Sequence, residues 1–230
     1  MILSQRSVLW FCSLILVIFP IGILSSSAVV ITLIRHNFVT LQYKMAYCMA
    51  KYLKTLLQLI LAPRFGWEDL DSEDLSPDRL FTRGFIPLTV LSGASVFMQM
   101  IYHPGLSPVR LLLRGVVEFG SFFLTYYIAL LILTSVVPSL CFGTFDRNRL
   151  KLFVIESLGL MAILGILRNS LPSDYATVYF ILIYISVIMW RAIDYLRILL
   201  RYEIKFTLMA IVSIIVPPLL IQLIFGAAGA

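Results

Sequence analysis

The chain predicts an all-α fold: a polytopic transmembrane helical bundle of five core spans, preceded by an interfacial amphipathic helix and a candidate extra N-terminal span. Three observations carry this. Sixty per cent of the 230 residues are hydrophobic and 13% charged, against ~45–50% and ~25% in a soluble domain. The mean hydropathy is +0.98, more apolar surface than a soluble core hides. The apolar residues form runs comparable with the ~20 residues that cross a ~30 Å hydrocarbon core, with Lys and Arg gathered at their ends. Four segments follow: 1–44, 45–83 (amphipathic helix and acidic loop), 84–226 (the five-span membrane domain) and a tail at 227–230.

Residues 7–34 are the first apolar run. Three readings stay open: a membrane span kinked at Pro20, a signal peptide, or a stretch upstream of a true start at Met45 or Met49. Arg6 is the only cation ahead of the run, and apolar residues continue past Ser26, Ser27 and Ala28. Both features favour the span.

In residues 45–62, Lys51, Lys54, Thr55 and Gln58 recur at i, i+3, i+4 and i+7. They make one polar stripe on an otherwise apolar helix, a pattern suited to the membrane interface. Pro63 stops this helix, and Trp67 reads as an interfacial anchor. Ser76-Pro77-Asp78 is a helix start, with Ser as N-cap, Pro at the first position and Asp near the positive end of the dipole. Span one covers 85–102, and His103-Pro104-Gly105 turns the chain. Ser107-Pro108 starts the next helix, whose body, 115–137, is span two.

Span three runs from Leu152 to Leu167, thinned by Ser157, Gly159, Ala162 and Gly165 for close helix packing. Lys151 and Arg168 at its ends snorkel. Span four runs from Tyr175 to Trp190 and continues as a basic surface helix through 191–205. Span five runs from Phe206 to Phe225 and is interrupted at Pro217-Pro218.

Placing 35–83, 139–151 and 191–205 on one side collects fourteen of the eighteen Lys and Arg there, leaving Arg6, Arg110, Arg114 and Arg168 opposite. The positive-inside rule makes the fourteen-charge side cytoplasmic and the C-terminus external, as in a bacterial inner membrane. The net charge of +6 is thereby a topology signal, and no nucleic-acid partner is expected.

Six of the twelve acidic residues, Glu68, Asp69, Asp71, Glu73, Asp74 and Asp78, fall in one polar stretch. Their spacing opens like a calcium loop but lacks the Gly at the sixth position. A solvated hinge or a docking epitope for a basic partner fits better than a metal site. Arg147, Arg149, Lys151, Arg191, Arg197 and Arg201 form a candidate site for anionic lipid headgroups. Asp194 is within pairing reach of Arg191 or Arg197.

Glu118 and Glu156 are ionisable groups inside spans, hence functional candidates. The bland reading pairs Glu118 with Arg114 at i, i+4 and sets Glu156 one turn from Lys151. The sharper reading makes them an ion or proton relay, with the Pro217-Pro218 break as a transporter-like broken helix. Cys12, Cys48 and Cys141 fit no metal or disulfide spacing. With only His36 and His103 as bases, on opposite sides, no catalytic constellation or cofactor motif is present.

The run "KYLKTLLQLILAPRFGWEDL" followed by "SPDRLFTRGFIPL" and five apolar segments resembles the Yip (Ypt-interacting protein) domain family in the form seen in bacteria. Pro63, Gly66 and Trp67 ahead of the acids, Pro87 at span one and "RNSLP" after span three are the similar cues, over residues 45–225. The resemblance implies a five-helix bundle with a cytoplasmic N-terminus and carries over no catalytic residue. The acidic-Leu-Tyr-Gly signature of the eukaryotic trafficking relatives is absent. The expected protein is therefore non-enzymatic. It organises membrane or binds lipid or a protein partner, with oligomers permitted; the alternative is a transporter or channel component using Glu118 and Glu156.

Overall fold

The computed structural model describes residues 46–72, 75–102, 105, 107–171 and 175–228. The apolar run 7–34, Glu73, Asp74, His103-Pro104 and most of the loop after Leu171 lie outside them. The chain divides into two compact units, Met1–Cys48 and Met49–Ala230. Of the first, only 46–48 are described, and they are helical. Everything below concerns the second.

The described residues are helical apart from short connections, with a single isolated antiparallel bridge, Cys141 to Ile198. We number the helices of the second unit α1 (49–61), α2 (Pro63–Ser72), α3 (Pro77–Tyr102), α4 (Pro108–Val136), α5 (Arg147–Ser170), α6 (Tyr175–Trp190), α7 (Glu203–Ile214) and α8 (Val216–Ala228). Four stretches are long and apolar enough to cross a membrane: α3, α4 extended to Ser139, α5, and the α7–α8 stretch Leu200–Phe225. Helix α6 has the bounds expected of span four, Tyr175–Trp190, and at 16 residues is shorter than these four stretches.

The central helix is α5: 78% of its most apolar window is buried, against 28–44% for the other three. Lipid tails are as apolar as leucine, so helices in a bilayer associate through close packing and polar contacts rather than hydrophobic collapse. The small residues act accordingly. A Cβ on Gly93 of α3 would come within 2.7 Å of the Gly115 carbonyl oxygen of α4, and one on Gly115 within 2.7 Å of the Gly93 oxygen. The two backbones thus touch at a glycine pair. On α5, Gly159 receives the Tyr52 ring end, and Gly165 receives the side chains of Glu118 and Ser92.

Pro63 does not end the helical path. Residue 62 breaks it, and Pro63, whose missing N–H costs nothing in a first turn, opens α2. Half of the expected acidic loop is therefore helix. Helix α1 turns Tyr52, Leu56 and Leu59 into the bundle core, all fully buried, while Lys51, Lys54, Leu57 and Leu61 remain exposed. Trp67 is 2% exposed. Its indole N–H donates to the Ile188 carbonyl at 3.0 Å, close to the end of α6, where helix carbonyls run out of internal donors. Its ring lies 5.4 Å from Tyr195 and 5.7 Å from Phe153. The expected interfacial anchor is thus a core residue: an aromatic with one polar edge is satisfied equally by a buried carbonyl.

Ser76 and Ser107 take the extended N-cap position ahead of Pro77 and Pro108, but neither side chain makes a cap hydrogen bond. Asp146 does, accepting from the Asn148 N–H at 2.8 Å. The basic surface helix expected through 191–205 is absent. After a short turn at Arg191–Ile193 the chain reverses, with Arg197 in the left-handed region at φ 54°, and helix resumes at Glu203. The Pro217-Pro218 break is real: α7 stops at Ile214 and α8 begins at Val216.

Candidate functional site

Two polar assemblies stand out, one towards each end of the bundle. The first is built on Glu118 of α4, 3% exposed. Its Oε1 accepts from the Ser92 hydroxyl at 2.7 Å, and Asn169 Nδ2 reaches Oε1 and Oε2 at 3.2 and 3.1 Å. Arg168 completes the set at 3.2 Å from Oε2 and also donates to Gln222 Oε1 at 2.7 Å. Asn169 further donates to Ser95 at 3.0 Å and accepts from Gln99 at 2.8 Å. One carboxylate thus ties α3, α4, α5 and α8 together. The expected Arg114 pairing is not formed. Arg114 is exposed, whereas Arg168 enters the interhelix space beside Gly165, where no Cβ blocks the approach to Glu118. A cavity of about 20 Å³ beside Arg168 and Gln222 holds roughly one water.

Glu156 behaves differently. It is fully buried on α5, and neither carboxylate oxygen, nor the neighbouring Ser157 hydroxyl, has a hydrogen-bond partner among the described residues. The expected neighbour Lys151 reaches instead to Asp78 at 3.4 Å. Tyr52 lies nearby but spends its hydroxyl on the Ile155 carbonyl at 2.9 Å. Burial, with the Glu156 charge adding to it, pushes the Tyr52 phenol well above its usual range.

The second assembly lies at the basic end. Here the acidic stretch and the basic candidates, expected as separate sites, partly neutralise one another. Asp71 pairs with Arg149 at 2.6 Å and Asp78 with Lys151. Glu68 pairs with Arg64 at 3.1 Å, and Asp69 accepts from Gln58. Among the described residues no three His, Cys, Asp or Glu side chains converge as a metal-ligand group.

Arg149 is the hub. It also approaches Asp146 at 3.6 Å, donates to the Tyr195 carbonyl at 3.0 Å and lies 5.7 Å from the Tyr195 ring centre. Two loops are stitched together beside it: Phe142 N–H donates to the Arg197 carbonyl at 2.9 Å and Leu199 N–H to Leu140 at 3.0 Å. The Cys141 thiol, whose pKa burial pushes up, donates to the Leu196 carbonyl at 3.4 Å. Between these loops is a cavity of about 110 Å³, walled by Val137, Phe145 and Leu196 and carrying Thr144, Asp146, Arg149 and Arg197.

The six basic candidates therefore separate. Arg149 and Arg197 line the cavity, and Lys151 holds Asp78. Arg191 sits 4.7 Å over Trp190 and Arg201 4.6 Å over Tyr202. Arg147 is exposed at the start of α5. Among the described residues Asp194 receives no Arg side chain; its carbonyl accepts the Arg197 N–H at 3.1 Å in the turn. Sequence reasoning missed Ser92, Ser95, Gln99, Asn169 and Gln222. Its signal was available: Ser92, Ser95 and Gln99 stand at i, i+3 and i+7 on one face of a span.

The four long apolar helices fit a polytopic integral membrane protein, with a buried polar brace and a charged, loop-built end. No protein-family model, no curated protein and no solved structure matches the chain.

Proposed function

We propose that the chain is a non-enzymatic integral membrane protein of the Yip-domain type. It works at its basic end, facing the cytoplasm, by binding anionic lipid or a protein partner. One observation carries this reading: Arg149 joins Asp71 of α2, the start of α5 and the Tyr195 turn into one framed surface, with an open cavity beside it. The Glu118 network supports the same reading from the opposite end. Each oxygen of its carboxylate is satisfied by fixed donors on neighbouring helices, an arrangement that braces a bundle. The test is the lipid that leaves the membrane with the purified protein: its anionic share exceeds that of the membrane, and an equal share would count against the reading.

A second reading, transport, rests on Glu156, whose two buried oxygens have no partner among the described residues. Protein in liposomes carrying a proton flux that Glu156→Gln abolishes would support it. No flux in the wild type, or the same flux in the variant, removes it.

A further inference from the structure

We propose that the cavity between loops 140–146 and 194–199 is a phosphate-binding site, with Arg197 as its ligating cation and Thr144 as a neutral donor. The inference rests on the reading that the basic end meets anionic groups, and it names the group and the place.

Four observations converge. The cavity, at about 110 Å³, is several times the ~10–15 Å³ that one water needs, so it admits a group of several atoms. The two arginines that line it differ in availability. Arg149 is committed to Asp71, Asp146 and the Tyr195 carbonyl, which makes it a rigid wall. The Arg197 side chain makes no ion pair or hydrogen bond among the described residues, although its backbone is held on both sides, through its N–H to Asp194 and its carbonyl from Phe142.

Arg197 also has φ 54°. A non-glycine residue in this region is uncommon, and strain of this kind clusters at binding sites. Glycine would meet the turn without strain, so the arginine contributes a side chain rather than a conformation. Finally, the cavity lies where the apolar stretch of α4 ends at Ser139 and that of α5 begins at Arg147, the ends that would meet lipid headgroups if both stretches cross a bilayer. Its apolar wall of Val137, Phe145 and Leu196 suits the carbon atoms attached to a phosphate ester. Guanidinium is the preferred partner of phosphate because its planar fork matches two oxygens at once.

The experiment exploits the strained backbone. Full-length protein in detergent is titrated with inorganic phosphate and with glycerol phosphate, and in nanodiscs of phosphatidylcholine with and without phosphatidic acid. Arg197→Gly relieves the backbone, so its melting temperature without ligand equals or exceeds that of the wild type. It nevertheless lowers phosphate affinity by about tenfold or more, the scale of one lost charge-assisted hydrogen bond. Thr144→Val gives a smaller loss, and Arg201→Gln, stacked outside the cavity, leaves affinity unchanged. Binding of the soluble phosphates identifies a free-phosphate site; binding in phosphatidic acid nanodiscs alone identifies a lipid headgroup site. Either source with the Arg197 dependence supports the proposal. Unchanged affinity in Arg197→Gly, an equal loss in Arg201→Gln, or no binding to any probe overturns it. Anionic lipid still enriched on a protein indifferent to Arg197→Gly would sink the site while leaving the broader reading standing.

Discussion

Two glutamates of similar sequence context meet opposite fates inside the bundle. Glu118 accepts from Ser92, Asn169 and Arg168, while neither oxygen of Glu156 has a partner among the described residues. Removing one partner of a buried ion pair strands the other, at ~3–5 kcal/mol. For Glu118→Leu we expect about 3 kcal/mol, the low end, because the Arg168 side chain is 34% exposed and water recovers part of its hydration. Glu156→Met has the opposite expectation. It removes polar atoms that are unsatisfied in place, each worth ~1–3 kcal/mol, with little change of volume. Thermal melts in detergent should show a marked fall for the first variant and an unchanged or higher midpoint for the second. A fall as large for Glu156→Met would mean that Glu156 has a partner in the working protein. Both residues were legible as ionisable groups inside apolar runs. Their surroundings were not: Arg114 and Lys151 are close in sequence, yet Glu118 pairs with Arg168, fifty residues on, and Lys151 turns to Asp78, contacts that arise only through helix packing.

At the scale of elements, hydrophobic runs located α3, α4, α5 and the α7–α8 stretch well, because length and apolarity are local properties. What neighbours decide was harder to read. The polar stripe of α1 was visible, but an amphipathic helix on a lipid surface and one on a protein surface have the same stripe. In the structure one face of α1 packs on the bundle, while Leu57 and Leu61 stay exposed. The Tyr52 ring lies where a Cβ on Gly84 of α3 would be 2.8 Å from its Cγ, and its hydroxyl lies against Gly159 of α5. Tyr52→Phe, which keeps the ring and deletes the donor to Ile155, should cost about 1 kcal/mol of stability, seen as a lower midpoint and faster proteolysis near α1. No change would show that the hydroxyl adds nothing to docking. The end of α6 was misread for a related reason. Nothing local in 191–205 forbids helix; the reversal comes from the stitching of Phe142 and Leu199 across the two loops.

For the whole molecule, the separation of a braced interior from a charged end is the organising feature. Fourteen of the eighteen Lys and Arg were countable in the segments 35–83, 139–151 and 191–205 of the sequence. That acids and bases would interlock there, with Asp71 on Arg149 and Asp78 on Lys151, was not, since it depends on how the end of α2 and the start of α3 come to lie beside the start of α5. Under the phosphate-site proposal, this interlocking would make the cavity more selective than a bare basic patch, because one of its two arginines, Arg149, is already ion-paired. A surface of unpaired lysines would attract any anionic bilayer in proportion to its charge. On the same proposal, a framed cavity with Arg197 unpaired among the described residues would retain particular molecules instead.

Native mass spectrometry of the protein released from mild detergent tests this most directly, by weighing the lipids that stay bound. The account predicts a small, defined number of phosphate-bearing anionic lipids on the wild type, fewer on Arg197→Gly, and no change on Arg201→Gln. Bound lipid in the same proportions as the surrounding membrane, identical in all three proteins, would contradict it.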